Sequence, residues 1–209
     1  GDLHTDLHEC VGHGSGKLLP GVSKDALKEH ASTIEEARAD LFGLYYMADP
    51  KLVELGLLPN EHAYESYYYQ QMMNGLMTQL VRIEPGKDIE EAHMRNRQLI
   101  AMWVYKHANG AVELIEREGK HYLQINDYAE VRRLYGELLK EIQRITSEGD
   151  YAAAKAMVED YAVKVEPTLH NEILARYAQL NLAPYKGFVN PVYTPVFDGE
   201  GNITDVTLD

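Results

Sequence analysis

Two short clusters of metal-ligating and acid–base residues stand out in the chain: His8-Glu9-Cys10-Val11-Gly12-His13, and Glu35-Glu36-Ala37-Arg38-Ala39-Asp40. Two imidazoles flanking a glutamate are the parts of a metal-assisted hydrolysis site. Such a site needs three protein ligands, an open position for water, and a base that takes the water's proton. His-Glu-x-x-His on a helix delivers two ligands from adjacent turns, with the glutamate beside them. Here the histidines are five apart rather than four. At about 100° per residue, five steps turn the second ring about 140° from the first, and two ligands on an ideal helix would diverge. A π-type widening brings five residues close to one full turn, and such bulges are frequent at functional sites. Gly12 sits where that distortion is least hindered.

The second cluster offers the third ligand. Glu36 and Asp40 are four apart and share a face of the predicted helix. One of them can coordinate while the other accepts from the far ring nitrogen of His8 or His13 and so orients it; Glu35 can do the same from the side. The spacing leaves these assignments open. Cys10 points away from the ligands on either helix geometry and reads as a small packed hydrophobe rather than a fourth ligand.

The elements that must hold these residues read as a run of helices. Residues 3–13 form a short helix ending in the glycine-rich stretch Gly12 to Gly16. Ser32-Thr33-Ile34-Glu35 fits a capping box, and Leu41, Leu44, Tyr45 and Ala48 carry an apolar stripe as far as Asp49-Pro50. Helices follow at about 61–82 and 89–107, the first rich in Tyr and Met (Tyr64, Tyr67, Tyr68, Tyr69, Met72, Met73, Met77), a stripe read as core or domain contact. Residues 112–126 alternate around Glu118-Gly119-Lys120 in the manner of a hairpin. Further helices cover about 127–147, 150–163 and 167–179, punctuated by Glu148-Gly149-Asp150 and Pro167. The tail, with Pro184, Pro191 and Pro195, reads as extended chain closing on a small hairpin near Phe197 to Ile203. The expected fold is mainly α: one helical metal-binding domain over residues 1–209, with a small β-hairpin and an extended C-terminal segment.

Composition bounds the function. Twenty Lys and Arg against 33 Asp and Glu give a net charge of −13, which repels phosphate backbones and anionic membrane surfaces. Arg95, Arg97 and Arg132-Arg133 are scattered, so no nucleic-acid partner is expected. No apolar run approaches the ~18 residues of a membrane span, and no basic-then-apolar signal pattern opens the chain. The single cysteine excludes an internal disulfide and fits a reducing compartment, with the cytoplasm as the expected location.

The motifs H-E-C-V-G-H and E-E-A-R-A-D resemble those of the dipeptidyl peptidase III family, whose pattern is H-E-x-x-G-H followed by E-E-x-R-A-E or E-E-x-R-A-D. The likeness continues through His13-Gly14-Ser15-Gly16-Lys17-Leu18 and Glu91-Ala92-His93-Met94-Arg95-Asn96-Arg97. The resemblance implies one Zn²⁺ held by His8, His13 and Glu36, with Glu9 as general base and Glu35 and Asp40 as acceptors for the ligand histidines. It implies that His93 steadies substrate and transition state, and that Arg97 and Arg176 line the substrate cleft. Co or Mn can occupy a two-His, one-Glu site as well. The implied activity is release of dipeptides from the N-terminus of oligopeptides, by a monomer, in a cleft between two lobes. The lobe that anchors the substrate's amino end would lie upstream and be absent from this chain. The short stretch Lys17 to Thr33, and Asp40 where Glu is commoner, suggest a bacterial-type member. Two other readings stay open: an isolated zinc-binding domain with little or no activity, and a metal-free interaction domain, which leaves His8, Glu9 and His13 unexplained.

Overall fold

The computed structural model describes residues 2–182 and 192–208. Pro184 and Pro191 lie outside the described residues. The chain divides into two compact units, residues 1–179 and 180–209.

The first unit is a helical assembly with one hairpin. It opens with α1 (Asp2–Asp6), which runs directly into a π-helix, Leu7–Gly12. The His13 N–H donates to the His8 carbonyl at 2.9 Å, the five-residue closure that the histidine spacing demands. A 3₁₀ turn at Lys28–His30 leads into α2 (Ala31–Met47), followed by α3 (Pro50–Glu54), α4 (Ala63–Leu76), a 3₁₀ turn at Thr78–Arg82, and α5 (Ala92–His107). The hairpin β1 (Val112–Arg117) and β2 (Lys120–Ile125) precedes α6 (Tyr128–Glu148), α7 (Tyr151–Tyr161) and α8 (Pro167–Gln179). Glu118 and Gly119 both have positive φ, the backbone of a two-residue turn whose twist matches antiparallel strands. The second unit holds one antiparallel pair, β3 (Tyr193–Phe197) and β4 (Ile203–Leu208). Among the described residues no helix is long and apolar enough to cross a membrane.

The central element is α2, which packs against the π-helix, α5 and α6. Its buried residues include Ile34, Ala37, Leu41, Leu44 and Met47, which meet Leu99 and Ile100 of α5 and Leu134, Tyr135, Leu138 and Ile142 of α6 in one core. Burial of this apolar surface is the main force that holds α2 at a defined depth and rotation. The Tyr and Met stripe of α4 divides: Tyr68, Met72 and Met77 are wholly buried, with the Tyr68 hydroxyl donating to the Leu44 carbonyl, while Tyr69 is exposed.

Several local expectations are corrected. Ser32 does not cap α2: the helix grows from the 3₁₀ turn before it, His30 takes the cap position, and Ser32 lies inside the first turn. The expected 61–82 helix breaks at Met77, which leaves helical geometry with its side chain fully buried, so core packing ends the helix. α5 starts at Ala92 rather than 89 because Glu91 is extended and its carboxylate accepts from the N–H groups of His93 and Met94. Cys10 is exposed, not packed, because the wider turn carries it to the outer side of the π-helix.

Candidate metal centre

The π-helix lies directly on α2, and the contact is tight because of one glycine. A Cβ built on Gly12 would stand 2.7 Å from the Ala39 Cα and 2.8 Å from the Ala39 carbonyl oxygen, backbone atoms that cannot yield. Gly12 is therefore required for close approach; the permissive backbone expected from the sequence is a lesser reason, since its φ is not positive. The approach places both histidines over the acidic face of α2.

The histidines are held from behind by different carboxylates. Asp40, 8% exposed, takes His8: Nδ1 to Oδ1 is 2.7 Å. Glu35 takes His13: Nδ1 to Oε1 is 2.9 Å. An ionised carboxylate only accepts, so each Nδ1 carries the hydrogen and each Nε2 turns its lone pair the other way. Both Nε2 atoms face Glu36, at 3.4 Å from Oε2 for His8 and 4.0 Å for His13. One atom from each of His8, His13 and Glu36 lies within 4.8 Å of the others. With bonds of about 2.0–2.1 Å, the ligand atoms of a tetrahedral zinc site stand about 3.4 Å apart, so the His8 pair is already at that separation and the His13 pair is slightly wider. Glu36 Oε2 is buried and accepts no hydrogen bond, an arrangement costly for a carboxylate unless a cation completes it. The residues fit a divalent metal.

The electrostatics follow the same geometry. Hydrogen bonding to Asp40 raises the His8 imidazole above its ordinary range, against the opposing effect of burial. Burial works to raise the Glu35 carboxyl, but hydrogen bonds from Arg38 and His13 outweigh it and hold the group below its usual value. Arg38, only 3% exposed, supplies most of that restraint. Its Nε and Nη2 donate to the two Glu35 oxygens at 3.0 and 2.7 Å, and its Nη1 donates to Ser15 Oγ at 2.8 Å. Ser15 in turn donates to the Gly12 carbonyl. The fork of Arg38 thus ties the glycine loop to α2 through the carboxylate that orients His13.

A cavity of about 280 Å³ opens beside the cluster, lined by residues that include His8, Glu9, Asp40, His93 and Arg97. Glu9 is exposed to it and makes no hydrogen bond or ion pair among the described residues. His93, from the first turn of α5, brings Nδ1 to 3.3 Å from Glu36 Oε2 with its side chain 55% exposed. Arg97 follows one turn later on the same face. Arg176 stands elsewhere: on α8 its Nη1 donates to the His121 carbonyl of β2 and to Glu172, and it does not line the cavity. The polar residues of the cavity that motif reading passed over are His4, Thr5, Gln70, Gln71 and Asn74. His4 lies one turn before His8, half-buried against Gly43, and this burial lowers its imidazole below the ordinary range. Its position four residues before His8 was the signal in the sequence.

Peptidase family M49 matches residues 23–189, a span that contains Glu35 to Asp40 and Glu91 to Arg97 but begins after His13. Dipeptidyl peptidase 3 of Mus musculus is 25% identical over 223 residues, covering 84% of this chain and 30% of that protein, and its Homo sapiens counterpart is 24% identical with the same coverage. Among solved structures, DPP III from Caldithrix abyssi superimposes with a TM-score of 0.61 at 27% identity, over 83% of this chain and 31% of that one. Dipeptidyl-peptidase III from Corallococcus sp. strain EGB has the same fold over 85% of this chain, with a TM-score of 0.63 at 22% identity. The chain spans about 30% of the length of the curated relatives it matches. With the profile match running through both the acidic motif of α2 and the His93–Arg97 face of α5, the chain belongs to peptidase family M49.

Proposed function

We propose that this chain is the metal-bearing part of a zinc-dependent dipeptidyl peptidase that releases dipeptides from the N-terminus of oligopeptides. The observation that carries the reading is the buried, unbonded Glu36 Oε2 facing two imidazole Nε2 atoms whose other nitrogens are each taken by a carboxylate. His8, His13 and Glu36 would hold one ion, with zinc favoured by the nitrogen and oxygen donor set and by the separation of the ligand atoms. When bound, zinc supplies a Lewis acid and acidifies a water toward pKa ~7.

The protein residues do the rest. Glu9, free of partners at the cavity wall, takes a proton from the attacking water on a carboxylate oxygen and returns it to the leaving amine. His93 donates toward the oxygen of the scissile carbonyl as negative charge develops there. Asp40 and Glu35 keep His8 and His13 in the tautomer that coordinates. Arg97 meets the substrate on the α5 side of the cavity. Arg176, committed to the hairpin, enters no step.

The substrate-anchoring lobe would be the remainder of the same polypeptide, which supports a second reading: the relatives are about three times longer, and this chain by itself would be a zinc-binding unit with little turnover. The exposed unpaired Cys10 suits a reducing compartment such as the cytoplasm.

Metal content decides the ligand set. The wild-type chain is expected to hold one zinc by atomic absorption, and His8→Ala and Glu36→Ala to lose it; stoichiometric zinc in both variants would overturn the assignment. In the full-length protein, Glu9→Ala is expected to keep zinc and lose hydrolysis of a dipeptide-naphthylamide, and unchanged turnover would remove Glu9 from the mechanism.

A further inference from the structure

The wall of the cavity opposite the π-helix is formed by α4, and its chemistry differs from that of the metal cluster. Gln70, Gln71 and Asn74 line it, three carboxamides within one turn or so of one helix. None makes a side-chain hydrogen bond among the described residues, and Gln71 Nε2 is a buried donor without an acceptor. Side-chain amides in folded proteins are normally satisfied, and an unsatisfied buried donor is costly. Elsewhere on the lining, Asp40 is engaged with His8. The α4 side thus adds uncharged, unengaged amides to a lining that also holds Glu9 and the unbonded His4 Nε2.

The type of group left free indicates what it can bind. A carboxamide presents a donor and an acceptor together and carries no charge. Three of them in a row match a ligand that alternates N–H and C=O, which is the main chain of an extended peptide. They match an ionised ligand poorly, since they carry no charge and, among the described residues that line the cavity, Arg97 on α5 is the one permanent cation. They match an apolar side chain poorly as well, because each would lose its water without a replacement. Gln70 to Asn74 spans about 6 Å of helix axis, the length of about two residues of extended chain. The terminal torsion of glutamine is broad and two-fold, so the Gln71 donor can swing into the cavity when a carbonyl arrives.

We propose that Gln70, Gln71 and Asn74 form a docking strip for the main chain of an extended peptide lying beside Glu9. The strip rests on the metallopeptidase reading for the identity of its ligand. It gives binding that tolerates sequence, because every residue of a peptide offers the same N–H and C=O.

The test is a titration of the ¹⁵N-labelled zinc-loaded chain, and of the same chain after metal removal, with tetra-alanine and with its analogue carrying an ester in place of the central amide. The side-chain amide resonances of Gln70, Gln71 and Asn74 are expected to shift with the peptide. Gln71→Leu and Asn74→Leu are each expected to weaken tetra-alanine binding by about two- to tenfold. The penalty for the ester analogue is expected to shrink in the variant that has lost its partner. Thermal unfolding, measured on the same samples, is expected not to fall and zinc content to be unchanged, which separates loss of the strip from loss of fold or metal. Wild-type affinity in both variants, or no shift of the three amides with the wild-type chain, would overturn the strip while leaving the metal assignment intact. Peptide binding that persists in a chain unable to hold zinc would do the reverse.

Discussion

His8 and Asp40 are thirty-two residues apart in the chain, yet His8 Nδ1 donates to Asp40 Oδ1 at 2.7 Å behind the group formed by His8, His13 and Glu36. That bond selects the tautomer whose Nε2 faces Glu36, so it would act on a metal held there without touching it. A carboxylate behind a ligand histidine also makes the ring a stronger donor to the ion.

Asp40→Asn keeps the size of the side chain and removes the charge. Zinc affinity, measured by competition with a chromophoric chelator, is expected to fall about 10–100-fold with the helical content intact. Equal affinity in the variant would show that His8 needs no charged partner.

Gly12→Ala tests the contact between the π-helix and α2. The added methyl meets the Ala39 backbone below 3.0 Å, so the two helices must separate. A loss of about 1–3 kcal/mol in urea unfolding is expected, together with weaker zinc binding because His8 and His13 move away from Glu36. Gly14→Ala is a poor substitute, since it would clash with the Cys10 carbonyl instead.

Glu172 on α8 carries a pH dependence of stability. Its carboxylate accepts from the backbone N–H and the Nδ1 of His121 and from Arg176. Burial pushes its pKa up, but these bonds outweigh burial and hold it below the ordinary value. A group depressed in the folded state stabilises above its unfolded pKa, about 4.3 for glutamate, and the stabilisation is lost as pH falls through the lower folded value. The urea midpoint of the wild type is therefore expected to drop on acidification below about pH 4.3, with a smaller drop in Glu172→Gln. Parallel curves would remove Glu172 as the cause.

Cys10 is a free thiol on the outside of the π-helix. It is expected to react fully with an aromatic disulfide reagent in the native state, and the modified protein to retain its zinc. Reaction only after denaturation would contradict its exposure, and loss of zinc would bring it into the ligand set.

The fold and the site were legible in the sequence to different depths. Helical periodicity and turn residues are local, so α6 with Gly149 after its end, and the hairpin around Glu118-Gly119, could be read directly. Local signals failed where the core decides: Ser32 has the right residue type for a cap, but the helix starts before it, and Met77 ends α4 because its side chain is drawn inward. Arg38 is visible in the acidic motif, yet its link to Ser15 joins residues 23 apart and has no local signature.

The five-residue histidine spacing is covalent information, and by itself it determined that two ligands converge only on a widened turn. Likewise, the four-residue spacing of Glu36 and Asp40 determined that they share a face of α2. Only the tertiary structure decided which carboxylate meets which ring, that Gln70, Gln71 and Asn74 line one cavity with His8 and Glu9, and that Arg176 turns to the hairpin. Those outcomes depend on how closely two helices approach and at what rotation. The packing of Gly12 on Ala39 and of α2 into its core sets both quantities, and they are properties of the assembled molecule rather than of any one segment.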